Sequence, residues 1–303
     1  MAVFRTTFNQ LDTLFLSENS KQNIERIILV LAITSFVLHL GCIYLAEYIP
    51  FLNPDSPLLG SPIAAVYTPF SFILVYEVYL LVYYLPRSIT TYISKQYEII
   101  SLIIIRRLFK DLANLKLTTD WFSIKDDLQF TYDILASVML FYLLYWFYRL
   151  NKNRRIRYTE NMALTNAVSK FVRFKKTIAV VLVPLLFCLA VYTFGKWGYI
   201  EFMDNNGSLK ELKNINNIFF DEFFTVLIVV DVLLLLVSFF YTDRYHKVIR
   251  NSGFVISTIL IRVSFSVDGL VNTVLIVFAV IFGLVILAIH NQFEKHLEQL
   301  PET

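Results

Sequence analysis

Apolar runs close to the length of a membrane-crossing helix recur along this chain, and they constrain its fold more than any other feature. About twenty helical residues cover the roughly 30 Å of hydrocarbon in a bilayer. The runs predict eight spans: Ile27–Glu47, Ala65–Leu85, Tyr97–Leu112, Phe130–Leu150, Thr177–Gly195, Phe219–Tyr241, Gly253–Val267 and Leu270–Ile289. The third and seventh are short and carry arginine, so a re-entrant segment is their alternative. Composition points the same way, with 57% hydrophobic and 17% charged residues and a mean hydropathy of +0.60. A soluble domain of this size is usually far more polar. The period-two alternation of a membrane barrel is absent, so the expected class is all-α, a polytopic membrane helix bundle. Residues 1–25 lack the short apolar core and small-residue cleavage site of a removable signal, and the first span is expected to serve as its own insertion signal.

Charge sets the expected orientation, because Lys and Arg collect on the cytoplasmic side. Residues 151–176 contain Lys152, Arg154, Arg155, Arg157, Lys170, Arg173, Lys175 and Lys176 against the single acid Glu160. Alternating spans from there put the Arg87/Lys95 turn and the Arg244/Lys247/Arg250 turn on the same side, with both termini cytoplasmic. The expected organisation is a four-helix half (1–150), a basic cytoplasmic linker (151–176) and a second half (177–303). The bilayer is the principal expected partner. Anionic lipid at 151–176 and a homo-oligomer are further candidates, and nothing in the charge pattern suggests nucleic acid.

The two halves show a short internal match. Ile100-Ser101-Leu102-Ile103-Ile104-Ile105-Arg106 aligns with Ile256-Ser257-Thr258-Ile259-Leu260-Ile261-Arg262, and Val75-Tyr76-Glu77-Val78 with Val229-Val230-Asp231-Val232. Four spans per half make the expected repeats parallel, related by an axis along the membrane normal. Each half places one acid and one arginine roughly 13 Å from the cytoplasmic turn, taking 1.5 Å per residue. A lone charge at mid-membrane costs on the order of 3 kcal/mol, so these groups are expected to pair, Glu77 with Arg106 and Asp231 with Arg262. Arg107 lies about 100° round the helix from Arg106 and needs a different partner, for which Asp133 is the candidate. Gln129, Asp133 and Ser137 share a helix face, as do Asp268 and Asn272.

An acid in a second helix, a Ser252-Gly253-Phe254 turn, an Ile259-to-Arg262 helix end and a helix from Leu270 resemble the phosphate-starvation-inducible PsiE membrane protein family. The first half has Lys95-Gln96-Tyr97 where that turn would stand. The resemblance implies four-helix units in a bacterial inner membrane, here two in tandem, and transfers no substrate. Phosphate-binding loops, metalloprotease helices, paired C-x-x-C, nucleophile elbows and potassium-filter sequences are absent, so neither an enzyme nor a cofactor or metal is expected. Cys42 and Cys188 read as packed thiols, His39 as a packing residue, and His246, His290 and His296 as solvated cytoplasmic groups. Tyr83, Tyr84, Tyr145 and Trp146 read as an interfacial belt, and Pro184 as a kink. Two functions remain open. The buried charges Glu77, Arg106, Arg107, Asp133, Asp231, Arg262 and Asn272 line an ion or small-solute path, or they are structural locks in a non-catalytic scaffold or sensor.

Overall fold

The computed structural model describes residues 10–45, 62–112, 125–158, 166–203, 215–241, 244–267 and 269–299. All regular structure among them is helical. A short helix α1 (10–16) leads into α2 (Glu18–Leu45), and a 3-10 turn (Pro62–Val66) runs into α3 (Tyr67–Tyr84). There follow α4 (Ile89–Leu112), α5 (Lys125–Tyr158), α6 (Asn166–Met203), α7 (Ile215–Phe239), α8 (Tyr245–Ser264) and α9 (Leu270–Gln299). Each of the eight apolar runs therefore falls on one helix, α2 to α9. Asp268 of the sequence reading lies outside the described residues.

Among the described residues, three helices are long and apolar enough to cross a membrane: α2, the Leu128–Lys152 part of α5 and the Leu270–Leu297 part of α9. Thr68–Tyr84 and Phe223–Phe239 are apolar but shorter. This is fewer than the eight runs predicted. The reason for α4 and α8 is charge along their length, with Lys95, Glu98, Arg106 and Arg107 on one and Lys247, Arg250 and Arg262 on the other. Helix also reaches into both ends of the expected linker at 151–176. α5 continues to Tyr158 and α6 begins at Asn166, so most of the basic segment is helix. Lys and Arg are good helix formers, and little in that stretch stops either helix.

The turns have local causes. Pro86 cannot donate a backbone N–H, and the chain leaves α3 through tight bonds from Leu85 N–H to Val82 O (3.2 Å) and from Arg87 N–H to Tyr84 O (3.0 Å). Ser88 then caps α4, its Oγ accepting from Thr91 N–H at 3.2 Å. Between α8 and α9, Gly269 adopts φ +79°, a conformation only glycine takes up cheaply.

α3 packs on α2, α4 and α6, and the relations α2·α3, α3·α4 and α4·α5 recur as α6·α7, α7·α8 and α8·α9. α5 against α9 and α4 against α8 join the first four long helices to the last four. At that junction Tyr97 lies edge-on to Phe147 (5.2 Å), which in turn touches Phe254 (5.9 Å). Ser257 Oγ donates to Ala279 O (2.6 Å), so the Tyr97 hydroxyl donates to Ser257 Oγ, also at 2.6 Å. The tyrosine fits because Gly283 faces it, where a Cβ would stand 1.8 Å from its hydroxyl. The outward surface is apolar. α2 buries only Ala32 and exposes Ile27, Val30, Ile33, Val37 and Leu38, and α5 exposes Val138, Phe141 and Tyr142. Patches of this kind suit hydrocarbon and are costly in water. Tyr145 is exposed as expected of a belt residue, but Tyr83 is buried and donates to Glu18 Oε2 at 2.6 Å.

Gly283→Ala is expected to cost about 1–3 kcal/mol, because a fully buried ring cannot yield without disturbing Phe147. Thermal unfolding in detergent checks this, and adding Tyr97→Phe, which removes the clashing oxygen, should recover part of the loss.

Candidate functional site

Two clusters are built on neighbouring arginines of α4, one reaching α3 and the other α5 and α9. Arg106 Nη2 donates to Glu77 Oε2 at 2.9 Å, and Nη1 donates to Phe70 O at 3.2 Å. This is the pair expected from helix arithmetic, and Glu77 is buried within it. One residue on, Arg107 points elsewhere. Its Nε and Nη2 donate to the two carboxylate oxygens of Asp133, and Nη1 donates to Asn272 Oδ1 at 2.8 Å. Asp133 is wholly buried and also accepts from Gln129 Nε2 (2.9 Å) and Thr273 Oγ1 (3.2 Å). Forked Arg–carboxylate pairs are among the strongest hydrogen-bonded contacts, and this one joins α4, α5 and α9.

The second half is built differently. Asp231 and Arg262 do not pair. Asp231, 5% exposed, accepts instead from Gln96 Nε2 of α4 at 3.1 Å. Arg262 donates to Thr225 Oγ1 at 2.8 Å and lies over the Phe224 ring at 5.2 Å. The aspartate is one methylene shorter than Glu77. Arg262 sits toward Thr225, six residues away on α7 and roughly 9 Å along that helix.

Asp231 and Arg262 nevertheless line one chamber, a cavity of about 30 Å³ with Gln96, Thr258, Phe224 and Phe265 among its walls. That is room for a water or two. Tyr92 and Lys175 are the other polar groups near Asp231. One buried atom in its wall, Gln96 Oε1, lacks a hydrogen-bond partner. Such atoms are rare in native interiors and mark a place where a small polar species fits.

Sequence reasoning missed Gln96, Tyr92 and Lys175. A glutamine and a tyrosine on an otherwise mixed helix carry no signal, and Lys175 looked like one more linker charge. Lys175 is buried instead, donating to Arg87 O at 2.8 Å. It stands just before the fifth predicted span, which begins at Thr177. Burial pushes its ammonium pKa down to about 8, against an opposing pull from Asp231. The histidines also depart from expectation. His246 and His290 are buried and stacked at 5.2 Å, not solvated, whereas His296 is exposed. Burial, then the neighbouring His290, holds the His246 pKa below its usual value. His39 Nδ1 meets Thr68 Oγ1, a packing role. Cys42 and Cys188 are free thiols, and α6 runs continuously through Pro184.

No protein-family model, curated protein or solved structure matches this chain.

Two outcomes follow from this geometry. Asp133→Asn leaves Arg107 without its counter-charge and is expected to cost about 3–5 kcal/mol, while the double change Arg107→Met with Asp133→Leu costs less. Unfolding midpoints of the single and double variants decide between them. For Lys175, the folded chain releases the proton near pH 8 and the unfolded chain near the ordinary 10.5. The unfolded chain therefore holds more protons between those values, and stability rises with pH there. The midpoint of the wild type relative to Lys175→Met should be flat below pH 8 and climb from pH 8 to pH 10.

Proposed function

We propose that this chain is a polytopic membrane protein that handles an ion or small solute at the Asp231 chamber, its other buried charges serving as locks. The carrying observation is that the buried Asp231 carboxylate lines a chamber beside the unpartnered Gln96 Oε1 and has no cation in hydrogen-bond contact among the described residues, although Arg262 stands in the same wall. A lock has no use for such an acid. Burying a carboxylate that no cation touches directly costs several kcal/mol, and intramembrane acids of this kind mark ion or proton sites.

In this reading all eight long helices cross the membrane, with both termini and the basic 151–176 region cytoplasmic, in a bacterial inner membrane. The α4 and α8 helices are 24 and 20 residues long, enough to span at 1.5 Å per residue. The chain is two parallel four-helix repeats of the PsiE-like kind. Support comes from the recurring helix neighbours and from position. Phe224, Thr225 and Asp231 stand 154 residues after Phe70, Ser71 and Glu77. Arg106 reaches the Phe70 carbonyl and Arg262 the Phe224 ring.

A second reading, a non-catalytic scaffold or sensor, is favoured by the closed Glu77–Arg106 and Arg107–Asp133 pairs. Flux into proteoliposomes under pH, K⁺, Cl⁻ and voltage gradients separates the two. Conduction predicts that Asp231→Asn lowers flux at least tenfold while the Glu77→Gln/Arg106→Gln double variant keeps it. Wild-type flux equal to that of empty liposomes under every gradient leaves only the scaffold.

A further inference from the structure

The cytoplasmic ends of α8 and α9 carry a cluster that the buried charges deeper in the bundle do not involve. His290 and Glu294 are one helical turn apart on α9 and share a face, and His246 comes from the first turn of α8. His290 Nε2 lies 3.2 Å from Glu294 Oε1, and His246 Nε2 lies 4.0 Å from the same oxygen. One ligand atom from each of the three residues falls within 4.8 Å of the others. Ligand bonds of about 2.1 Å at tetrahedral angles require separations of about 3.4 Å, so small side-chain shifts close the set.

The orientation of His290 is already that of a metal ligand. Its Nδ1–H donates to the His246 backbone carbonyl at 3.2 Å, leaving the Nε2 lone pair facing the cluster. A backbone carbonyl on the far nitrogen is the usual support for a metal-bound histidine, because it fixes both tautomer and ring plane. A cation already uses that lone pair, since Arg250 Nη1 donates to His290 Nε2 at 2.9 Å. Two further guanidinium contacts run to Asn251 Oδ1, from Nε at 3.1 Å and Nη2 at 2.9 Å. Arg250 therefore stays anchored while only Nη1 gives way.

We propose that His246, His290 and Glu294 form a Zn²⁺-class divalent metal site that clips the start of α8 to the end of α9, with Arg250 competing for His290. Two imidazoles and one carboxylate suit a borderline ion such as Zn²⁺ better than Ca²⁺ or Mg²⁺, which prefer oxygen throughout. The fourth position is left to water. The clip joins the two helices where Gly253 already lets α8 approach Ile286 of α9 closely.

The full chain, purified in detergent with any affinity tag removed and stripped by chelator, is titrated with Zn²⁺ against a chromophoric competitor and separately with Co²⁺. The expected result is one Zn²⁺ per chain and a protein-dependent visible Co²⁺ band. Affinity should fall at least tenfold in His290→Gln and Glu294→Gln, stay unchanged in His296→Gln, and rise in Arg250→Gln. A wild type that binds no Zn²⁺ above background and gives no Co²⁺ band overturns the site, as does equal binding by the His290 and Glu294 variants. The Co²⁺ band is read on the wild type alone, so a variant that fails to fold does not rescue the proposal. The result is independent of flux at Asp231.

Discussion

Asp133 is a carboxylate with no exposed surface inside a bundle made largely of Leu, Ile, Val and Phe, and the arrangement of α4, α5 and α9 depends on how it is satisfied. Arg107 gives it two donors, Gln129 a third and Thr273 a fourth, while Asn272 takes a third N–H of the arginine. Removing a charge from water is expensive, and the cost is offset only when the lone pairs are filled with good geometry. Dispersion packing tolerates sliding by part of a turn, whereas a forked pair between three helices does not. The cluster therefore fixes helix register where apolar side chains alone leave it loose, and α5 against α9 is also a principal contact between the two halves.

The two halves use the same materials to different ends. In the first, a glutamate long enough to meet its arginine closes the site. In the second, a shorter aspartate in the corresponding place turns to Gln96 across the junction of α4 and α7, and its arginine goes to Thr225 and Phe224. One methylene separates a closed pair from an acid that lines a small, largely apolar chamber. Elsewhere on α4, Tyr97 reaches Ser257 of α8 past Gly283 of α9, a second contact between the two halves.

The pairing of Glu77 with Arg106, and the turning of Arg107 toward Asp133, were legible because residues on one helix fall at known heights and angles. The same arithmetic misplaced Asp231, since it assigns height but not side-chain reach, and it had no means of finding Gln96 on a different half. The histidines were misread for a related reason. His246 and His290 stand at the ends of apolar runs, where most side chains meet water, and only the packing of α8 on α9 buries them. The spacing of His290 and Glu294 was visible, but the third member is 44 positions away on another helix.

By itself the sequence determined the all-helical class and the approximate position of each long helix, because apolar run length and the absence of alternation are local properties of the chain. It also pointed to Glu77, Asp133 and Asp231 as acids within apolar runs, and all three are buried. Only the tertiary structure decided which of those charges meet, which stay open to a chamber, and that two histidines and a glutamate converge. Those outcomes depend on helix rotation, side-chain length and contacts between residues up to 165 positions apart, and no local pattern encodes them.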